Sequence, residues 1–405
     1  MILDEIDNGN YFLHPEAVAV VDENTAYFAA ADFNGLFKLD LTTGNSRYIG
    51  LFPQEDILKN RLYFSAVSCG NKVIFAPNTA NNIAVFDVET KKIDVIPFDK
   101  ISLTKASMEY KFGDVVAYKN YVFFIGALVP YVLKLDIKTY KLDYYPIKSN
   151  ERLMFRKQVA VDGNTFYASS VCSGNILEFN MDTCKMVIHK LPLEEFCGSW
   201  GICMDEKKYI WLFPSHKDYP IVRWDKNKNQ VFTIKSFPPE LKVTDALLFH
   251  YEFYRDGYVY AMPSFTNMVL KVNTDTLKLE TEEGFLLNFD DRIGYYFNSD
   301  KDIYLIRKTA SENDYSQNEN NYFKYNKDTH KTEKLEIKFN ENIGGFKRDY
   351  LFNRAPTLMA SNELYNFNLK DFCKYIPKYD ETDNEKYTNL HTETVGKKIY
   401  DMTAK

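Results

Sequence analysis

A phrase that returns seven times constrains this 405-residue chain more than any other feature. An alternating strand ends on Asp or Asn, and a short turn follows that usually closes on Thr, as in Leu133-Lys134-Leu135-Asp136-Ile137-Lys138-Thr139. The markers are Asp40, Asp87, Asp136, Asn180, Asp225, Asn273 and Asn326, spaced by 47, 49, 44, 45, 48 and 53 residues. A side-chain oxygen at a strand end can accept backbone amides two residues further on, so each marker predicts a tight turn. Only the fifth copy departs, with Lys228 where the others carry Thr.

Three further runs with the two-residue period of a strand surround each phrase. One precedes it (Lys72–Phe75, Tyr258–Ala261), one follows it (Lys92–Pro97, Val231–Lys235), and a shorter apolar run opens the unit (Ala17–Val21, Gly201–Met204). No amphipathic helical stretch separates these strands before residue 360, which argues against a stack of α/β units. A unit of four strands cannot bury its apolar faces alone and must stack on its neighbours.

Units of this kind resemble the blades of a β-propeller. Across residues 12–340 the wording of the third strand is similar to the YVTN/NHL and kelch-like repeats, although it lacks a consistent Trp-Asp dipeptide and paired glycines. The resemblance implies an all-β fold, a seven-bladed β-propeller of four-stranded antiparallel blades over residues 1–340. Residues 341–405 break the rhythm and are expected to form a small, partly helical extension. There Leu369, Phe372, Cys373 and Ile376 share one helical face between a capping Asn368 and Pro377, and 394–401 suggests a second helix. Such a resemblance speaks to fold and hardly to function.

Charge narrows the partners. Fifty basic and 56 acidic residues leave a net charge of −6, so a phosphate backbone is not an expected partner. The longest apolar run, Tyr121–Leu133, is interrupted by Gly126 and Pro130 and is too short to span a bilayer. The first residues are acidic and lack the basic, apolar pattern of a secretory signal, and six cysteines form no C-x-x-C pair. A cytoplasmic protein with free thiols, and with no membrane partner, is expected.

In a four-stranded blade the first strand lines the central channel, and its start shares a face with the loop between the second and third strands. A ligand is expected on that face. Phe64, Phe112, Phe155, Trp200 and Phe249 stand 23, 24, 25, 25 and 24 residues before their markers, and His14 stands 26 before its own. These aromatics either pack blade against blade or crown the mouth. Trp200, framed by Cys197, Gly198, Ser199 and Gly201, is the one expected to be exposed. Arg156 and Lys157 at the fourth blade, Arg292 at the seventh, and His14 and His250 would make the mouth locally cationic, suited to a carboxylate or phosphate. The competing reading has them bonded to backbone carbonyls or to Asp114, Asp290 and Asp291. The long second loop 311–320 of the seventh blade is either a tolerated insertion with no role or a flap over the mouth, with Tyr315 as the residue that would seal against a bound ligand.

Two His-x-Glu pairs also fall at inner-strand starts, His14/Glu16 and His250/Glu252. Residues two apart on a strand share a face, so each pair is a candidate acid–base couple or divalent-cation holder. At this level the chain is similar to the virginiamycin B lyase family, a resemblance that implies elimination chemistry with His, Glu and a divalent metal and transfers no individual residue. Nucleotide-loop, serine-hydrolase and zinc-protease motifs are missing. Three readings therefore stand. One is a cofactor-free binding module for a small anionic ligand or peptide segment. Another is a lyase or cyclase that uses a His/Glu pair, with Arg156 as electrostatic stabiliser and a divalent metal. The third is a scaffold that engages protein partners through its outer surface and residues 341–405.

Overall fold

The computed structural model describes residues 13–98, 110–156, 158–193, 196–243, 248–264, 266–282, 291–309 and 322–350, with only the backbone described over 291–296 and 306–309. By contacts the chain divides into Met1–Ile343 and Gly344–Lys405.

Seven four-stranded antiparallel sheets follow one another along the first unit, and in each the strands run in sequence order from the first outward. The innermost strands are Pro15–Val20, Tyr63–Cys69, Phe112–Tyr118, Ala160–Asp162, Cys203–Met204, Phe249–Arg255 and Asp291–Asn298. This is a seven-bladed β-propeller.

The markers close their turns as their chemistry requires. Asp40 Oδ1 accepts the amides of Thr42 and Thr43 at 2.8 and 3.0 Å, and Asn273 Oδ1 those of Asp275 and Thr276 at 3.1 and 2.9 Å. In the fifth copy Asp225 bonds the Lys228 amide at 3.2 Å, so loss of the Thr side chain leaves the turn intact. Four residues after every marker the backbone is left-handed, at Gly44, Lys91, Tyr140, Cys184, Asn229, Leu277 and His330, with φ between 50° and 76°. The turns are therefore type I with a left-handed closing residue.

The core lies between blades. Middle strands face a neighbour on both sides and read as apolar runs, so Val122, Phe123, Phe124 and Ile125 are all fully buried. Val122 and Phe124 pack with Ile74 and Val85 of the second blade, while Phe123 and Ile125 pack with Phe166 and Phe179 of the fourth.

Ring closure departs from the four-strand expectation. After the seventh blade the chain crosses to the first and adds a fifth strand there, Lys338–Glu341, parallel to Asn45–Gly50. Phe339 sets its ring edge-on to Phe37 at 5.1 Å. Among the described residues the one helix spans 343–350, and none is long and apolar enough to cross a membrane. The helices expected at 368–376 and 394–401 lie outside the described residues.

The inner strands of blades one, two, three and six carry a β-bulge near their start, where Glu16, Phe64, Gly113 and His250 are the extra residues. A bulge breaks the in–out alternation and re-aims one side chain. This small irregularity builds the channel mouth.

Candidate functional site at the channel mouth

Blades one to six all contribute side chains to a continuous arc. Glu16 accepts from Arg61 Nη2 at 3.0 Å, and Arg61 Nη1 donates to Tyr110 Oη at 3.2 Å. The Arg156 guanidinium lies 4.1 Å from the Tyr110 ring centre, 4.9 Å from that of Trp200 and 6.0 Å from that of Phe64. Trp200 then meets the His250 ring at 4.9 Å, and His250 Nδ1 is 3.2 Å from Ser264 Oγ.

The bulges explain the arc. Glu16, Phe64 and His250 are bulge residues, and the fourth bulge, Gly113, supplies space instead. A methyl group on Gly113 would overlap the Phe155 carbonyl and lie 3.0 Å from Arg156 Cα, so glycine lets this backbone close in and carries Arg156 to Tyr110. Asn78, 1% exposed, fixes the other side: its Nδ2 donates to Arg61 O at 2.9 Å, and its Oδ1 accepts the Tyr110 amide at 2.6 Å. Lys111 Nζ donates to the carbonyls of Asn78 and Ala80 at 3.0 and 2.9 Å, and burial lowers its pKa to about 8.

The two arginines differ electrostatically. Burial works against the charge on Arg61, but Glu16 and Tyr110 outweigh it and hold Arg61 above its ordinary value. Arg156 is held below its ordinary value, by burial first and also by the nearby Arg61 charge. Among the described residues its buried Nε has no hydrogen-bond partner, and no carboxylate lies within salt-bridge distance of its guanidinium. The Tyr110 and Trp200 rings lie close to the guanidinium, and its N–H groups not shared with the Tyr110 hydroxyl are left for an acceptor.

Beneath the arc, Gln158 spans the channel in a left-handed conformation, φ 106°. Its amide donates to Asp114 Oδ2 at 2.9 Å, and its Oε1 accepts the Glu252 and Ile202 amides at 3.0 and 3.3 Å. Its Nε2 donates to Glu252 O, so the side chain pairs with Glu252 as a strand would. Glu252 is 1% exposed, neither of its carboxylate oxygens has a hydrogen-bond partner among the described residues, and burial raises it well above the ordinary carboxylate range. Towards the opposite face the channel widens to a cavity of about 930 Å³, lined by Ser65, Ser68 and Tyr251 and by the turns at Asp22 and Asp300.

Of the five marker-spaced aromatics, Phe64 and Trp200 join the arc. Phe112, Phe155 and Phe249 are buried to 1% or less in the cores between blades, where Phe112 meets Phe98 and Phe124, and Phe249 meets Phe213. Distances of 23, 24 and 25 residues to the marker are not one structural position, because a shift of one residue reverses the face of a strand. The His-x-Glu pairs also part company. His14 bonds Asp32 at 2.7 Å while Glu16 takes Arg61, and His250 turns to Ser264 and Trp200 while Glu252 is sealed against Gly201. Lys157 and Tyr315 lie outside the described residues, and Arg292 is placed by its backbone alone, second in its inner strand. Arg61 and Tyr110 escaped the sequence reading. Both stand three residues before a bulge residue, a cue visible only once the bulges are known. Among the described residues no three His, Cys, Asp or Glu side chains gather as metal ligands would.

No protein-family model matches the chain, and no curated protein matches it by sequence. Its fold is similar to solved propellers. Virginiamycin B lyase from Staphylococcus aureus superposes with a TM-score of 0.54 at 13% identity, over 73% of this chain and 94% of that one. A streptogramin B lyase gives 0.53 at 13% identity, over 73% and 90%. YCF48 bound to a D1 peptide gives 0.50 at 10% identity, over 74% and 90%. At these identities the likeness is one of fold.

Proposed function

We propose that this propeller is a binding module whose channel mouth holds an anionic group, from a small ligand or a peptide segment, on the edge of Arg156. One observation carries the reading: a half-buried guanidinium is set against the rings of Tyr110 and Trp200, with no carboxylate beside it among the described residues. Holding an unpaired charge away from water is costly, and an in-plane carboxylate or phosphate oxygen offsets that cost through charge-assisted hydrogen bonds. That YCF48, of similar fold, is known with a bound peptide supports a peptide segment as one form of ligand. The described cysteines, 69, 172, 184, 197 and 203, are all free thiols, which suits a reducing compartment such as the cytoplasm.

Trp200 supplies the readout. The other two tryptophans, Trp211 and Trp224, are fully buried, so fluorescence quenching by an added anion reports on Trp200, with Trp200→Phe as control. Titration with acetate, orthophosphate and an acidic peptide should give saturable quenching. Arg156→Ala should weaken it by about 2 kcal/mol or more, roughly 30-fold. Absence of saturable quenching, or an unchanged affinity in Arg156→Ala, would overturn the reading.

A further inference from the structure

We infer that the mouth selects a single negative charge, a monocarboxylate in preference to a dianion, and that Glu16 sets this selectivity; the inference rests on the anion-binding reading above. Two guanidiniums flank Tyr110, with Arg61 at 5.4 Å and Arg156 at 4.1 Å from its ring centre. They are close enough for Arg61 to disfavour the charge on Arg156. Left alone, such a pair would be a dianion site, because two forks around one phenol suit a phosphate or a dicarboxylate.

The chain occupies one of the two forks itself. Glu16 lies 3.0 Å from Arg61 Nη2, and Arg61 spends Nη1 on Tyr110. The order round the mouth is Glu16, Arg61, Tyr110, Arg156, so a negative charge is already installed on the same arc, with Arg61 and Tyr110 between it and the open guanidinium. A monoanion on Arg156 meets one uncompensated positive charge. The second charge of a dianion would face the Glu16 carboxylate, and in a partly buried site that repulsion is only weakly screened. Specificity built by placing a like charge against the unwanted ligand is a common device.

Glu16 owes this position to the fold. It is the extra residue of the first-blade bulge, between the Pro15–Ala30 and Ala17–Ala29 pairs, and its side chain reaches the second blade. It takes no part in binding the anion directly. Its role is to neutralise Arg61 and to repel a second charge.

The test compares acetate, succinate and orthophosphate at constant ionic strength, read by Trp200 quenching, in the wild type and in Glu16→Gln. Acetate should bind the wild type at least as tightly as the two multiply charged probes. Glu16→Gln frees Arg61 and should improve succinate and phosphate at least tenfold more than acetate. The wild-type ranking needs no variant, so it decides the matter even if Glu16→Gln folds poorly. Tenfold tighter binding of succinate or phosphate by the wild type overturns the inference and leaves anion binding standing. So does an equal gain for all three probes in Glu16→Gln. If none of the three binds at millimolar concentration, the anion-binding reading falls, and this inference with it.

Discussion

The α-carbon of Gly201 lies against the carboxylate of Glu252, so closely that a methyl group there would overlap Oε2. Gly201 follows Trp200 in the chain, and Glu252 is two residues after His250, so this contact lies close in the chain to the two rings that meet at the mouth. Gly201→Ala should destabilise the protein by about 1–3 kcal/mol through overpacking. It should also weaken anion binding by displacing Trp200. Urea denaturation of Gly201→Ala, Glu252→Ala and the double variant forms a cycle. The double variant should recover part of the loss, because removing the carboxylate makes room for the methyl. Strict additivity would mean that Gln158 Oε1, the other side-chain oxygen such a methyl would overlap, excludes it by itself.

The same carboxyl predicts a pH dependence. Burial raises Glu252 well above its ordinary value of 4.5. Below that value the folded and unfolded chains both hold the proton, and its stabilising contribution is fully present. As pH rises past it, the unfolded chain releases the proton while the folded chain keeps it. Stability then falls by about 1.4 kcal/mol per pH unit until the folded pKa is passed. Glu252→Gln has no such proton. Its stability relative to the wild type should therefore grow steadily with pH from about 4.5 upward. A difference that stays constant from about pH 4 to about pH 8 would show that the carboxylate ionises without penalty.

The marker turns carry relievable strain. Six of the seven place a residue other than glycine at φ between 50° and 60°. The left-handed region costs an L-residue roughly 1–2 kcal/mol, and glycine's extra freedom in the unfolded chain costs roughly 0.4–1 kcal/mol, so exchange for glycine should be a net gain. Lys91 is exposed and suits the test. Lys91→Gly is expected to stabilise by about 0.5–1 kcal/mol and Lys91→Val to destabilise, both read by thermal unfolding.

These turns mark how far the sequence could be read. The Asp/Asn markers are local chemistry, an oxygen and the amides two or three residues away, so seven units and their four strands were legible without a structure. The mouth was legible only in part. Arg156 and Trp200 stood out as a basic and an aromatic residue at inner-strand starts, and the arc joins them. Arg61 and Tyr110, with Asn78 behind them, belong to other blades and meet Arg156 only through the ring, so their partnership is a matter of tertiary position. The bulges at Glu16, Phe64 and His250 left no mark in the alternation, and they undo the assumption that His14 and Glu16, or His250 and Glu252, point the same way. The fifth strand on the first blade was also hidden, because Lys338–Glu341 resembles any short edge strand and its partner lies some 290 residues earlier.

That strand yields the last prediction. Phe339, 8% exposed, closes a ring cluster in which Phe37 also meets Phe28 at 5.3 Å and Tyr48 at 5.5 Å. The Asn342 side chain donates to Tyr48 O at 2.9 Å, and the Lys338 amide to Gly44 O at 2.9 Å, so the closing segment is tied to the first blade at both ends. Phe339→Ala removes a largely buried ring and should cost about 2–4 kcal/mol. The loss should also be local in its first effect. Lys338–Glu341 and its partner Asn45–Gly50 join the last blade to the first, so their amides should exchange with solvent faster in the variant. Amides of the fourth blade, such as those of Thr165–Ser169, should keep their protection until global unfolding. If every blade speeds up together, Phe339 contributes to a single cooperative core and the parallel strand is no separate clasp.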